Sequence, residues 1–317
     1  MKISVLGCGR WGSFLAWYGN NIGHEVTLWG RQNSQHMLEL VNTRRNDYLT
    51  LPPSVRLTQN LADALAADVI IVSIGAQQLR SFLQTLRAER FENKKFVLCM
   101  KGLESGTGKR LSTVFEEELG DCNKAAVWVG PGHAQDFIRG IPNCMIISST
   151  DDALTRELVD VFKSRLIRFY YGRDLLGTEI GAAAKNVIGL AAGMLDGLDC
   201  SSLKGALMAR GTSELSRLVE ALGGERMTVY GLSHLGDYEA TLFSPHSNNR
   251  RFGEDFVRHQ PFEKLAEGVE TVKALMRLSE QSGVELPICN TVNNIIHHDK
   301  NPRGELMQLF LRSTKEE

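Results

Sequence analysis

The first twelve residues limit the possible folds of this chain more than any other segment. Residues 2–6 predict a buried strand, residues 7–12 read G-x-G-x-x-G, and an amphipathic helix is predicted directly afterwards. This succession is typical of a dinucleotide-binding turn. Gly7 permits the tight turn, Gly9 lets a pyrophosphate approach the backbone, and Gly12 lets the helix pack close to the strand. The alternative is a structural turn of an α/β sheet that binds nothing.

Length, charge and cysteine usage narrow the class of protein. A chain of 317 residues is long enough for about two domains. Its net charge of −1 gives no reason to expect nucleic acid or an anionic membrane as the main partner. We also expect no membrane insertion, because no apolar run approaches about 20 residues, and no signal peptide. The six cysteines are scattered without a C-x-x-C pair, which predicts reduced thiols, a cytoplasmic location and no metal site.

Strand and helix signals alternate through the first half of the chain. After the opening unit, strands are predicted at 25–29, 68–74, 96–100, 125–129, 144–148 and 167–170. This alternation predicts a Rossmann-type doubly wound parallel sheet. From Asp174 onward the spacing is helical, with helices predicted at 177–198, 203–222 and 263–283, after Pro287 and after Pro302. We therefore predict an NAD(P)-binding domain at 1–172 and an all-helical substrate-binding domain at 173–317.

The predicted carboxyl ends of the strands carry candidate ligand-binding residues, because ligands of such sheets bind outside those ends. The second strand ends at Gly30-Arg31 without an acidic residue for the ribose of NAD. Arg31 is expected to pair with the 2′-phosphate of NADP, so the cofactor is NADP or NAD, with NADP favoured. The alternative is a solvated surface arginine. Lys101 ends the fourth strand and is expected to point its ammonium into the ligand crevice.

The fifth strand runs into Gly130-Pro131-Gly132-His133, a turn rich in backbone donors. His133 is interpreted either as an acid–base group or as a structural residue, and the other seven histidines follow no pattern.

The helical half offers a second polar set. Lys185-Asn186 interrupts an Ala/Gly-rich helix, where burial or a nearby cation such as Lys101 would lower the lysine pKa. Asp237 supplies a carboxylate in a Gly-flanked loop. The run Ser247–Arg251 is polar and basic and suits a phosphate, although a surface loop without function is the alternative.

These motifs, in this order, resemble the bacterial-type NAD(P)-dependent glycerol-3-phosphate dehydrogenases over nearly the whole chain. The matching positions are Gly7–Gly12 through Trp11, Met100–Leu103, Asp174 with Gly177 and Glu179, Lys185–Val187, Ala191–Leu198, Gly231-Leu232 with Gly236-Asp237, Ser247–Gly253, and Ala266–Gly268.

The resemblance implies reversible hydride transfer between NAD(P)H and dihydroxyacetone phosphate, giving sn-glycerol 3-phosphate for glycerophospholipid synthesis, usually by a homodimer. It implies that Lys185 donates and accepts the proton and that Lys101 and Asp237 orient the substrate and tune Lys185. The predicted cofactor-binding residues are Gly7, Gly9, Arg10, Trp11, Gly12, Arg31, Lys101, Ala134, Asn248 and Glu267. The predicted substrate-binding residues are Lys101, Gly130, Gly132, Lys185, Asp237, Ser247, Asn248, Asn249 and Arg250.

Two departures from the family pattern fall on substrate contacts. The family's S-R-N reads Ser247-Asn248-Asn249, which removes an arginine from the phosphate clamp. The family's G-P-[ST]-F-A reads Gly130-Pro131-Gly132-His133-Ala134, which removes a hydroxyl. Two alternatives therefore stay open. One is a dehydrogenase of another small hydroxy acid or polyol phosphate, and the other is a non-catalytic NAD(P)-sensing regulator.

Overall fold

Residues 1–120 and 122–311 are described by a computed structural model, and the chain divides into two units. The first unit comprises Met1–Met100 and Leu111–Leu175, and the second comprises Lys101–Arg110 and Leu176–Glu317. The segment Lys101–Arg110 thus groups with the helical residues. The sequence instead predicts two continuous domains that divide after residue 172, and that division stays a prediction. Residues 312–317 of the predicted second domain lie outside the described residues.

The first unit is built on one eight-stranded sheet. Its strands are β1 (Lys2–Leu6), β2 (Glu25–Trp29), β3 (Arg56–Thr58), β4 (Val69–Val72), β5 (Lys95–Leu98), β6 (Lys124–Val129), β7 (Asn143–Ser148) and β8 (Ile167–Gly172). They lie in the order β3-β2-β1-β4-β5-β6-β7-β8. The predicted Rossmann-type sheet is confirmed. Strand β3 was not predicted, because three residues with a partly exposed surface carry too little apolar signal.

One pair of strands, β6 and β7, is antiparallel, whereas every other neighbouring pair is parallel. The connection between them contains only a five-residue helix, Ala134–Ile138. Such a helix is about 7.5 Å long, whereas a six-residue strand spans about 20 Å. The helix in this connection is thus too short to carry the chain back along β6. The next strand, β7, therefore runs in the direction opposite to β6.

A helix lies between each two consecutive strands of the first unit. They are α1 (Arg10–Asn21), α2 (Gln35–Thr43), α3 (Leu61–Leu65), α4 (Leu79–Leu86), α5 (Leu111–Leu119), α6 (Ala134–Ile138) and α7 (Asp152–Phe162). All four residues of the apolar strand β4 are buried, as expected for a central strand of a sheet covered on both faces. Asp151 caps α7, because its carboxylate accepts from the backbone N–H groups of Ala153 and Leu154.

The second unit is helical, and no strand occurs among its described residues. Its main helices are α8 (Leu175–Gly197), α9 (Lys204–Ala221), α10 (Asn248–Val257), α11 (Gly268–Ser282), α12 (Pro287–His297) and α13 (Pro302–Phe310). Within the described ranges, no helix combines the length and apolarity that a membrane span requires.

Glycines on α8 and α10 allow these two helices to approach backbone to backbone. A Cβ on Gly193 would overlap the carbonyl oxygen of Arg250, and a Cβ on Gly253 would overlap that of Leu190. Only glycine fits at these two contacts. The close contact brings the N-terminal turn of α10 next to the middle of α8, where Lys185 and Asn186 lie.

The structure differs from the predicted start of one helix and from the surface loop that was the alternative at residues 247–251. Helix α11 begins at Gly268 rather than at Glu263, because the Gly268 N–H donates to the side-chain oxygen of Asn249 (2.9 Å) and so marks the helix start. The run Ser247–Arg251 is not a loop: Ser247 is the N-cap of α10, and its hydroxyl accepts from the Arg250 N–H (3.3 Å).

Candidate active site

The second unit brings Lys185, Asp237 and Lys101 together. Lys185 lies in the buried middle of α8, and its Nζ is 2.6 Å from Asp237 Oδ2 and 2.7 Å from the hydroxyl of Thr241. The Nζ of Lys101 lies 2.7 Å from the same carboxylate oxygen. Asp237 is only 1% exposed, so one buried carboxylate serves two ammonium groups. All three residues predicted to be catalytic therefore form one cluster.

Burial is the main influence on the proton affinity of Lys185. Desolvation lowers its pKa to about 8, the Asp237 carboxylate opposes that shift, and the Lys101 ammonium adds to it. An amine with this pKa is mostly protonated at pH 7 but releases its proton far more readily than a solvated lysine. Such a group suits general acid–base work in both directions of a reaction.

Two successive turns deliver Asp237 and Thr241 to the lysine. Asp237 ends the 3₁₀ turn Leu235–Asp237, and Thr241 lies in the π-helical turn Glu239–Phe243. Thr241 was not predicted from the sequence. Its spacing of four residues from Asp237 places both side chains on one face of a helical segment, which was the available signal.

A chain of side-chain amides connects the elements around the cluster. The Nδ2 of Asn186 donates to the Lys101 carbonyl (2.6 Å), and the Nδ2 of Asn249 donates to the Asn186 Oδ1 (3.0 Å). Asn249 Oδ1 in turn accepts from the Gly268 N–H. This network fixes the backbone of Lys101 relative to α8, α10 and α11, so Asn249 has a structural contact in addition to its predicted role at the substrate.

Asn248 and Arg250, which are also predicted to bind the phosphate, contact different groups. Asn248 lies at the start of α10, and its side chain donates to the Leu265 carbonyl (3.1 Å). The guanidinium of Arg250 instead bonds Asp196 and Glu254, each at 2.8 Å. Asp196 is eleven residues from Lys185 on α8, which is about 16 Å along the helix axis. Arg250 is thus charge-paired at a distance from the lysine cluster.

A buried histidine, which was not predicted from the sequence to have a role, supports the turn that carries Asp237. His234 Nδ1 lies 2.8 Å from the Gly181 carbonyl and therefore donates to it, so Nε2 accepts from the Tyr238 hydroxyl (2.6 Å). Burial lowers the pKa of His234 to about 4, which keeps the ring neutral at physiological pH. The His234 carbonyl accepts from the Asp237 N–H (3.0 Å).

The first unit contains the glycine turn, whose geometry fits a pyrophosphate. Gly7 has φ +114°, and a Cβ at Gly7 or Gly12 would overlap a backbone oxygen. Around Gly9, by contrast, no described atom lies within 4 Å of the place that a Cβ would take. Gly9 is the N-cap of α1 and offers no side chain to the first N–H groups of the helix. Open backbone and an uncapped helix N-terminus suit an anionic group.

The other predicted cofactor-binding residues of this unit surround the turn or follow the strands. Arg10 stacks its guanidinium over the ring of Tyr48 (5.7 Å), and Trp11 packs against Phe14 (4.9 Å between ring centroids). Arg31 is exposed just after β2, and Ala134 is buried at the start of α6. In the second unit, Glu267 directly precedes α11.

The structure explains the glycine that departs from the family pattern at residue 132. Gly132 has φ +144°, as Gly130 has φ +130°, and side chains rarely adopt this conformation. A Cβ on Gly132 would also overlap the ring of Phe137. The local backbone conformation therefore favours glycine at residue 132, where the family pattern has a residue with a hydroxyl.

A Rossmann-type unit with an open glycine turn, together with a helical unit holding a buried lysine–carboxylate pair, defines a dehydrogenase that uses a nicotinamide dinucleotide. Models of the NAD-dependent glycerol-3-phosphate dehydrogenase N-terminus and C-terminus match residues 2–155 and 174–307, respectively. The chain belongs to this family.

The similarity to individual relatives extends over nearly the full length of both chains. The chain is 36% identical to the glycerol-3-phosphate dehydrogenase [NAD(P)+] of Prosthecochloris aestuarii, with 100% of both chains covered. It is 35% identical to the protein of the same name from Thermoanaerobacter sp., covering 100% of this chain and 99% of that one. A crystal structure of glycerol-3-phosphate dehydrogenase from Coxiella burnetii superposes with a TM-score of 0.91 at 26% identity, covering 98% and 99% of the two chains.

Proposed function

We propose that this chain catalyses the reversible, NAD(P)-dependent interconversion of dihydroxyacetone phosphate and sn-glycerol 3-phosphate. Family membership supports the reaction and both cofactors. The single structural observation that carries the proposal is the buried contact of Lys185 with Asp237, at 2.6 Å, beside Lys101. A protein that only senses a dinucleotide has no use for a buried proton donor held in this way.

The chemistry of the cluster follows from its charges. The reduced nicotinamide, when bound, supplies the hydride that adds to the carbonyl carbon. Negative charge then develops on the carbonyl oxygen, and the Lys185 ammonium stabilises it and transfers its proton to it. In the oxidation direction, neutral Lys185 takes the hydroxyl proton. Asp237 keeps the Nζ in place, and the second ammonium, Lys101, is proposed to orient the substrate.

The cofactor and substrate contacts are proposed residue by residue. The glycine turn would hold the pyrophosphate on the N-terminus of α1, with Arg31 directed to a 2′-phosphate. Among the described residues at the start of α10, Ser247, Asn248 and Asn249 would face the substrate phosphate. Arg250 is the weakest member of the predicted set, because its guanidinium is paired with two carboxylates.

The direct test is a cofactor and substrate panel with purified protein. Dihydroxyacetone phosphate with NADPH or NADH should cause loss of the reduced-nicotinamide absorbance, and sn-glycerol 3-phosphate with the oxidised cofactor should cause its gain. Turnover of another hydroxy acid or polyol phosphate in preference would support the related dehydrogenase. Cofactor binding without turnover of any substrate would support the regulator instead.

Replacing Arg31 by aspartate is expected to shift cofactor preference from NADP towards NAD. An arginine offers charge-assisted hydrogen bonds to the 2′-phosphate, whereas an aspartate repels it and accepts from the ribose hydroxyls. Loss of such bonds should change the ratio of kcat/KM values for NADPH and NADH by about tenfold or more. The exposed Arg90, replaced by aspartate, is the matched control. An unchanged ratio in Arg31→Asp would show that Arg31 is a surface residue without a cofactor contact.

Replacing Asn248 by arginine is expected to lower KM for dihydroxyacetone phosphate. Asparagine brings one amide and no charge, whereas arginine adds a bidentate cationic group, worth about tenfold in affinity for a phosphate. The KM for unphosphorylated dihydroxyacetone should not fall in parallel. Asn248→Gln, which lengthens the side chain without adding charge, is the control. If Asn248→Arg leaves the KM of the phosphorylated ketone unchanged, this position does not face the phosphate.

We further propose a cytoplasmic homodimer that supplies glycerol 3-phosphate to glycerophospholipid synthesis. The scattered cysteines and the family resemblance support this proposal. Sedimentation of the purified protein tests the dimer, because a monomer at micromolar concentration would contradict it.

A further inference from the structure

The carboxylate of Asp196 accepts hydrogen bonds from three side chains and has no part in the proposed mechanism. It accepts from Ser201 Oγ and Lys204 Nζ, each at 2.6 Å, and from Arg250 Nη1 at 2.8 Å. Burial raises the pKa of Asp196, but the hydrogen bonds from these groups outweigh it and hold the pKa below its usual value. Both basic side chains are nearly buried, with 8% of Lys204 and 14% of Arg250 exposed. This cluster is therefore an ordered part of the second unit rather than a solvated surface.

Both cations also hold the backbone of one short segment, residues 242–244. Lys204 Nζ donates to the Leu242 carbonyl (3.0 Å) and lies 5.1 Å from the centre of the Phe243 ring. Arg250 Nε donates to the Ser244 carbonyl (3.2 Å). One carboxylate thus fixes two cations, and these fix two carbonyls on either side of Phe243.

The clamped segment directly follows Thr241, whose hydroxyl accepts from Lys185 Nζ at 2.7 Å. Thr241 lies in a π-helical turn, a conformation that is rare and is found frequently at functional sites. The bonds to residues 242 and 244 hold the end of this turn. Asp196 itself is about 16 Å from Lys185 along α8, so it does not contact the lysine directly.

We propose that Asp196 is a positioning residue, which fixes residues 242–244 through Lys204 and Arg250 and so keeps Thr241 on Lys185. The proposal rests on the role of Lys185 in the proposed function. Without the carboxylate, two neighbouring cations repel each other and release the segment. Lys185 then loses a hydrogen-bond acceptor that favours its charged form, so its pKa falls.

The test compares Asp196→Asn with Lys204→Met, Thr241→Val and the double variant Asp196→Asn/Thr241→Val. In the reduction direction, Asp196→Asn should lower kcat by about 10- to 100-fold, the scale of a misplaced catalytic group, with KM for NADPH within about twofold of wild type. The fall of kcat at high pH should move to lower pH, as in Thr241→Val. The double variant should be no slower than the slower single variant, because both changes remove one contact.

Matched variants separate positioning from simple stability. Glu254→Gln removes a different partner of Arg250 and should leave kcat and the pH profile unchanged, since Glu254 makes no described bond to residues 242–244. Asp196→Glu should recover part of the lost rate. If Asp196→Asn does not fold, Lys204→Met, which removes the bond to Leu242, decides with the same measurements.

The outcomes are distinguishable. A lower melting temperature with wild-type kcat and pH profile would overturn the positioning role and leave Asp196 structural. Absence of turnover in wild type would count against the proposed function. The pH dependence of Lys185 acetylation, followed by mass spectrometry, then tests the positioning role of Asp196 without turnover. Reactivity that extends to lower pH in Asp196→Asn supports this role, and identical profiles overturn it.

Discussion

Lys185→Ala is expected to lower kcat by roughly 10² or more in both directions, the usual scale of a general acid–base group. The structure gives the reason: the Nζ is buried at 2.6 Å from Asp237 and is held by Thr241. The variant should still fold, because Asp237 keeps its ion pair with Lys101 at 2.7 Å and is not left as an unpaired buried charge. Steady-state kinetics with dihydroxyacetone phosphate and with sn-glycerol 3-phosphate measure the effect.

The pH dependence of kcat should have opposite signs in the two directions of the reaction. Reduction of the ketone needs protonated Lys185, so its kcat should be level at low pH and fall as pH rises through the lysine pKa of about 8. Oxidation of the alcohol needs the neutral amine, so its kcat should rise through the same range. Both limbs should disappear in Lys185→Ala.

Lys185→Met is the matched variant, because it keeps the volume of the side chain and removes only the charge and the proton. Equal losses in the two variants would assign the effect to proton transfer rather than to a cavity. A rate in Lys185→Met close to that of wild type would remove Lys185 from its role.

Gly193→Ala is expected to destabilise the protein by about 3 kcal/mol or more, at the upper end for overpacking of a core. The added Cβ would overlap the carbonyl oxygen of Arg250, which belongs to the backbone of α10 and cannot move away as a flexible side chain can. Helix α10 would have to separate from α8, and the hydrogen bond between Asn249 and Asn186 would lengthen. Urea unfolding measures the change in free energy, and activity should fall with it.

Gly205→Ala provides the opposite result on another helix. Gly205 is an exposed residue of α9, and no described atom lies within 4 Å of the position of an added Cβ. Alanine should therefore stabilise this helix by about 0.5–1 kcal/mol. If both substitutions changed the free energy of unfolding by the same amount, close packing of α8 on α10 would not be the reason for Gly193.

The parts of the fold with strong local signals were predictable from sequence. The apolar run at β4, the Asp151 cap of α7 and the long Ala/Gly-rich helix α8 each carry their signal within a few neighbouring residues. The start of α11 at Gly268 was not predictable, because the group that fixes it, Asn249, lies 19 residues earlier in the chain. The direction of β7 likewise depends on how far a short connection can travel.

The candidate site divides in the same way. Lys101 and Lys185 were predictable as candidates, because a charged residue after a predicted strand or within an apolar helix is costly unless it has a function. The role of Asp237 was implied by the family resemblance. Thr241 and Asp196 were not assigned, because threonine and aspartate are common residues whose roles depend on their partners. Asp196 lay within a matched motif, but nothing in that motif shows that its carboxylate fixes a segment more than forty residues away.

By itself, the sequence determined the dinucleotide-binding turn and the alternation that makes a Rossmann-type sheet, and it gave two lysines and one aspartate as candidates for the chemistry. These follow from local sterics and from the cost of burying charge, which act on neighbouring residues. Only the tertiary structure decided that two ammonium groups share one carboxylate, that Arg250 pairs with Asp196, and that a side chain at Gly132 would overlap the ring of Phe137. Those outcomes depend on distances between residues far apart in the chain, or on backbone angles set by packing.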